Sequence, residues 1–341
     1  MKTINKAFIH VSAAITVKAK SVRYYQYMDR RPQVGDVVYG EICRIGEHSS
    51  LENIHGRIHA VHHGSRALFV FGNRYAPDYY EGFVPDAMGH QVDLIARSGV
   101  IGYVKQKNAM KKDPTRVKIL GYALNKEGNI INTLQTPLVE PKDEVYRKNR
   151  AKLILVVGTA MNAGKSMACT ACCRALSTMG YTVRAAKVTG TASLKDILHM
   201  NDAGAEKFVD FTHLGYPSTY MLSEEELMSI FDKLDRKFAN NPSNFWVVEF
   251  ADGIAQRETA MLLKHPHVQE RIHRLIFAAA DAFGAIGGLR ILKENYNLEP
   301  DAISGVCSSS PLHIRELSQF SQIPVFNSAS PDCNELAKIL I

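Results

Sequence analysis

The stretch 153–166, LILVVGTAMNAGKS, constrains this chain more than any other. Leu153 to Val157 form an unbroken apolar run, as expected of a strand buried on both faces. Small residues follow at once and close on Gly164-Lys165-Ser166, where a helix-forming stretch, MACTACCRALSTMG, begins. A buried strand, a tight loop and a helix N-terminus in that order make a phosphate cradle. Loop amides and the positive end of the helix dipole face the anion, Lys165 reaches the β/γ-phosphates, and the Ser166 hydroxyl is placed to ligate Mg2+. The residues expected to hold such a ligand are Gly158, Thr159, Asn162, Ala163, Gly164, Lys165, Ser166 and Met167. Thr159 stands where the G-x-x-x-x-G-K-[ST] pattern has its first glycine, and Gly158 lies one residue earlier.

A chain of 341 residues has room for two domains, each burying its own core. No uninterrupted apolar stretch approaches the roughly 20 residues of a membrane-spanning helix. The apolar residues of the N-terminus are broken by His10, Ser12 and Thr16, which argues against a secretory signal. The chain therefore reads as cytoplasmic, with no membrane partner. Its six cysteines form no regular framework, in keeping with a reducing compartment. Cys169, Cys172 and Cys173 crowd the helix after the loop, where small side chains packing on a sheet explain them better than a metal site.

Residues 1–150 hold 23 of the 41 Lys+Arg and only 14 of the 34 Asp+Glu, so the basic excess of the chain sits in its front half. From Val34 to about Thr133, short β-branched and aromatic runs alternate with Gly, Asn and Asp, which predicts a small β barrel or sandwich. The opening GDVVYGEI resembles the first strand of oligonucleotide-binding barrels. Asn125 to Gly128 reads as a hairpin turn, and GNRYAPDYYEGFVPD as a loop that contacts a ligand or the second domain, or simply covers the surface. His59, His62 and His63 lack an identifiable third metal ligand and read as polar strand positions. The run Lys105, Lys107, Lys111, Lys112, Arg116 and Lys118 could follow a phosphate backbone, although a charged rim is the commoner meaning. Nucleic acid is thus a partner kept open but not favoured. Residues 136–152, with two prolines and many charges, read as a linker between a β-rich domain (1–135) and a second domain (153–341).

From 153 onward strands and helices alternate. Strands are expected at 153–157, 182–187, 245–250, 273–278, 302–307 and 324–326, and helices near 165–179, 224–239, 256–263, 282–295, 312–320 and 332–340. That alternation predicts a mostly parallel sheet with helices on both faces and a ligand site at the carboxyl ends of its strands. Lys187 ends the second strand and is placed to neutralise another anion beside the phosphate. Asp196 and Asp202 follow, each able to reach Mg2+ or to cap a helix. Glu249 ends the strand FWVVE, with Asp252 three residues on, and these are the first and second choices for metal or water positioning. The metal set is then Ser166, Glu249 and Asp202, and the catalytic set Lys165, Lys187, Glu249 and Asp252. Ser308 to Ser310 are candidates to line a base pocket.

Together these residues resemble the P-loop NTPases of the dethiobiotin synthetase and cobyric acid synthase group. Its loop, G-T-x-x-x-x-G-K-[ST], carries the early glycine seen in Gly158-Thr159…Gly164-Lys165-Ser166. The resemblance covers about 150–330. It implies ATP and Mg2+ as cofactors and a small-molecule substrate whose carboxylate or carbamate is held by the lysine matching Lys187, with an acid matching Glu249 in E-F-A-D-G. Ala160 departs from the acidic residue that often follows G-T in that group, and Asp252 replaces a glycine. The expectation is an α/β P-loop NTPase domain, preceded by a small β-rich barrel-like domain, that activates a substrate by ATP-dependent phosphoryl transfer as a ligase or kinase. An ATP-hydrolysing switch whose basic β domain holds nucleic acid or a protein is the alternative, and an acyltransferase using the loop for acyl-coenzyme A a lesser one. A homodimer is the remaining partner kept open.

Overall fold

The computed structural model describes residues 1–4, 8–140 and 149–341. The chain packs as two units. The first comprises Met1–Glu140, Gly190–Lys195 and Phe211–Met221; the second comprises Pro141–Thr189, Asp196–Asp210 and Leu222–Ile341. The linker expected at 136–152 falls largely on 141–148, outside the described residues. The range 153–341 differs from the second unit because two of its segments belong to the first.

The strands of the first unit are Lys2–Thr3 (β1), Ile9–His10 (β2), Tyr24–Gln26 (β3), Val37–Arg44 (β4), Ser50–Glu52 (β5), Ile58–Ala60 (β6), Arg66–Phe71 (β7), Arg74–Tyr75 (β8), Tyr80–Phe83 (β9), Gln91–Leu94 (β10), Val100–Lys107 (β11) and Thr115–Leu124 (β12). β4 pairs with β7, β7 with β11, β11 with β10 and β10 with β12, and β12 returns to β4, closing a ring of five strands. Closure leaves that ring without free edges. The ring can close tightly at β4 because Gly40 has no Cβ; one there would lie 2.8 Å from a Val117 methyl group. Tyr39, Leu68, Phe69, Leu94, Ile101 and Val117 belong to its apolar core.

One front-half reading is corrected. GNRYAPDYYEGFVPD is not a free loop but the β8–β9 hairpin, with Arg74 and Tyr80 buried and the Asn73 side chain accepting from the Val84 amide. Three of the six basic residues of the run are paired within the unit: Lys107 with Asp113 at 2.7 Å, Lys111 with Glu47 at 3.1 Å and Arg116 with Asp93 at 2.7 Å. Two of the three carboxylates, Glu47 and Asp93, come from other strands or loops of the unit, in keeping with a charged rim. His59 meets Asn53 at 3.1 Å, and among the described residues no three His, Cys, Asp or Glu side chains gather as a metal site.

The second unit is a parallel sheet of six strands: Lys152–Gly158 (β13), Val183–Lys187 (β14), Ala205–Asp210 (β15), Phe245–Glu249 (β16), Ile272–Ala278 (β17) and Ala302–Ser304 (β18). Their order is β15-β14-β16-β13-β17-β18. Its helices are Lys165–Thr178 (α1), Leu194–Asp202 (α2, whose first residues lie in the other unit), Glu224–Phe238 (α3), Arg257–Lys264 (α4), Pro266–Arg271 (α5), Ala282–Tyr296 (α6), Pro311–Leu317 (α7) and Cys333–Leu340 (α8). Alternate strand residues serve opposite faces. Ile154, Val156, Ala185 and Val247 pack with α1 and α8, and Cys169, Cys172 and Cys173 are buried in that layer. On the other face Trp246 meets Phe231 of α3, and α6 comes close over Phe277 at Gly288, where a Cβ would lie 2.1 Å from the ring. Helices therefore cover both faces. The expected strand at 324–326 is only a single bridge from Val325 to Ile303. No described helix is long and apolar enough to cross a membrane.

Candidate functional site

β13 lies in the middle of the sheet with β16 on one side and β17 on the other, so the connections leaving its carboxyl end diverge and open a crevice. The loop 159–164 fills that position. Its first turn is drawn against β17 by the Thr159 amide, which donates to the Ala278 carbonyl at 2.9 Å. Gly158 is needed there, since a Cβ would sit 2.6 Å from that same carbonyl oxygen. Asn162 (φ 62°) and Gly164 (φ 96°) adopt left-handed backbone on either side of Ala163. Such alternation turns successive amides toward one concavity. α1 starts at Lys165, and the amides of its first turn have no intrahelical acceptors.

Lys165 is buried, and its Nζ donates to the Ala160 carbonyl at 2.7 Å, folding the side chain over the loop. Burial holds its pKa below the ordinary lysine value, opposed by the fields of Glu249 and Asp252. Ser166 is half-buried at the head of α1, and Met167 and Asn162 are exposed on the rim.

The neighbouring strand ends complete the site. Lys187 and Glu249 are register partners on β14 and β16. Lys187 is buried and forms ion pairs with Asp196 and, at 3.4 Å, with Glu249. Burial alone would lower its pKa, but the two carboxylates outweigh it and hold the ammonium well above its ordinary value. The turn after β16 is fastened from four directions. The Phe250 amide donates to Val156, the Ala251 amide to Thr189 Oγ1 at 2.8 Å, the Ile254 amide to Gly158, and Thr259 Oγ1 donates to the Ala251 carbonyl at 2.7 Å. Asp252 in that turn has φ 61°, a conformation a side chain adopts only at a cost, and such strain gathers at functional sites. A Cβ on the next residue, Gly253, would lie 2.3 Å from the Thr159 carbonyl oxygen.

The structure brings Lys165, Ser166, Lys187, Glu249 and Asp252 to one edge of the sheet. It does not bring Asp202, which is exposed at the far end of α2 and leads into the amino end of β15, the opposite edge. Its metal role is corrected, and Asp196 is the carboxylate of that segment at the site. The serines proposed for a base pocket have structural partners: Ser308 Oγ donates to Gly305, and Ser310 caps α7. Gly305 itself was missed in sequence. Its loop seats the phosphate loop, with the Val306 amide donating to the Ala163 carbonyl at 3.1 Å.

Two buried side-chain oxygens here, Thr159 Oγ1 and Glu249 Oε2, have no hydrogen-bond partner. The Ser166 hydroxyl at the head of α1 and the Glu249 carboxylate at the end of the neighbouring strand are both oxygen donors at this edge of the sheet. That suits Mg2+, which binds few protein oxygens and keeps its waters and the ligand's phosphates.

No family model matches the chain, and no curated protein matches it. It is similar to the solved structure of the signal recognition particle receptor FtsY from Elizabethkingia anophelis in complex with GDP, at 10% identity over 61% of this chain and 69% of that one, with a TM-score of 0.40. Chloroplast FtsY from Physcomitrella patens matches at 11% identity over 61% of this chain and 71% of that one, TM-score 0.35. The signal recognition particle 54 kDa protein from Aeropyrum pernix K1 in complex with GDP matches at 13% identity over 61% and 50%, TM-score 0.35. None of the three is a ligase, synthetase or kinase, and two hold GDP rather than ATP. The expected ATP-dependent ligase or kinase of the dethiobiotin synthetase group is corrected accordingly. Where that group's pattern expects a lysine held out to a substrate carboxylate, Lys187 is paired with Asp196 and Glu249. At such low similarity the fold rests on the chain's own topology. The parallel sheet, the loop after its central strand and the lysine and serine at the head of α1 give the second unit the fold of a P-loop NTPase.

Proposed function

We propose that the second unit binds a nucleoside triphosphate with Mg2+ and hydrolyses it, so that the chain acts as a nucleotide-dependent switch. The observation that carries this is the loop 159–164, closed on Lys165 and Ser166 at the head of α1, with Glu249 and Asp252 at the neighbouring strand end. In this reading water is the acceptor. The amides of 159–166 and Lys165 bind the phosphates, and Ser166 and Glu249 would hold the metal, which when bound offsets charge on the β/γ oxygens. Asp252, fixed by its fastened turn, is assigned to orient the attacking water.

The test is calorimetric titration of the full chain with GTP and with ATP, with and without Mg2+, alongside phosphate release in the absence of any added small molecule. Binding of one nucleotide is expected, and the preferred base follows from the comparison. Lys165→Ala should weaken binding by about 10- to 100-fold, the cost of a lost charged hydrogen bond. A wild-type chain that binds neither nucleotide, or a Lys165→Ala variant that binds as well as wild type, would overturn the reading.

A further inference from the structure

The chain leaves the second unit twice, each time just past the carboxyl end of a strand at the nucleotide edge. After β14 and Thr189 it contributes Gly190–Lys195 to the first unit and re-enters at Asp196; after β15 and Asp210 it contributes Phe211–Met221. Within the first unit these two arms pair with each other. The Ala192 amide donates to Pro217 at 3.0 Å, the Thr219 amide to Gly190 at 2.9 Å, and Thr191 and Ser218 form a bridge. The ribbon so formed is anchored to the barrel at several points. Ala192 belongs to the apolar core of the first unit. The Leu194 amide donates at 2.9 Å to Oε2 of Glu52, a buried carboxylate also held by the Ser12 hydroxyl. Thr133 Oγ1 donates to Gly215 at 2.6 Å, and the Tyr220 hydroxyl to Glu81 at 2.7 Å.

We propose that this ribbon is a transmission element, through which a nucleotide bound at the phosphate loop loosens the β-rich unit. The inference rests on the nucleotide-binding reading above. Asp196 is the residue at which the first arm returns, and it is the partner of Lys187. A phosphate at the carboxyl edge competes with Asp196 for that ammonium. Any change in the pairing of Asp196 acts on Lys195 and Leu194, one and two residues away, and Leu194 is the residue Glu52 holds. Lys187 and Asp210 are register partners on β14 and β15, so both arms spring from adjacent strand ends. Coupling of this kind is reciprocal: what the nucleotide does to the ribbon, the ribbon does to nucleotide affinity.

Hydrogen exchange on the full chain tests this directly. With the nucleotide that binds, and Mg2+, exchange at the Gly190, Ala192, Leu194 and Thr219 amides should rise at least threefold. Glu52→Gln weakens the hold on Leu194 and should tighten nucleotide binding at least threefold. Asp93→Asn, a buried acid of the same unit bonded to Arg116 and Val104, should leave affinity unchanged. Nucleotide binding with no change at the four amides, or equal affinity in Glu52→Gln and wild type, would sink the transmission reading alone. Failure of the wild-type chain to bind nucleotide would remove the parent reading and this one together.

Discussion

Gly305 combines φ 95° with ψ −161°, a region that side chains other than glycine essentially do not enter. A Cβ there would lie 2.3 Å from the Ala163 carbonyl oxygen, in the middle of the phosphate loop. Gly305→Ala should therefore displace the loop while leaving the sheet intact. The expected outcome is nucleotide affinity lowered at least tenfold with an unchanged circular dichroism spectrum, and equal affinity would refute it. Single residues at strand ends were readable in sequence because the apolar run shows where a strand stops; Lys187 and Glu249 came from that rule. The partner of Lys187 was not readable, since it depends on the path by which the chain returns. Asp196 and Asp202 looked equivalent in sequence, yet six residues on a helix turn through about 600°, so the two cannot share a face.

At the scale of elements, α3 is docked by a buried ionic knot. Asp235 is fully buried and pairs with Arg150 at 2.6 Å and with Arg271 at 3.0 Å, joining α3 to the entry of β13 and the end of α5. Asp235→Ala would leave two guanidinium groups facing an apolar gap. A loss of about 3–5 kcal/mol is expected for removing one member of such a set. Urea denaturation followed by the fluorescence of Trp246, the chain's one tryptophan, reads it out; a loss below 1 kcal/mol on the order-of-magnitude scale of an exposed pair would show the knot to be idle. The helices that were readable are those with a long apolar stripe or a clear cap, such as the box formed by Ser223 and Glu226 on α3. β15 was missed because an edge strand is covered on one side only. Its sequence, AEKFVD, mixes exposed charge with buried ends and never makes an apolar run.

At the scale of the whole molecule, neither unit is a continuous stretch of chain. The barrel pattern was legible because short alternating runs record one buried face. The ribbon was not, since 190–195 and 211–221 carry the small and polar residues of ordinary loops, and nothing local marks the core in which Ala192 is buried. Residues 1–140 produced alone should consequently form a weakened barrel, without Ala192 in its core and with Glu52, Thr133 and Glu81 deprived of their ribbon partners. A melting temperature lowered by roughly 10 °C or more relative to the full chain is expected, and an equal one would mean that the ribbon contributes nothing.

The same discontinuity sets an order on synthesis. The ribosome delivers the barrel strands first, but the last segment of their unit ends at Met221, 81 residues after Glu140. At bacterial or eukaryotic elongation rates that gap lasts roughly 4–16 s, long compared with the microseconds to milliseconds of local collapse. The nascent barrel must wait in an incomplete form with its ribbon seat uncovered. It is completed only when the start of the nucleotide-binding half has emerged, so the first-made unit cannot finish before part of the second has been made.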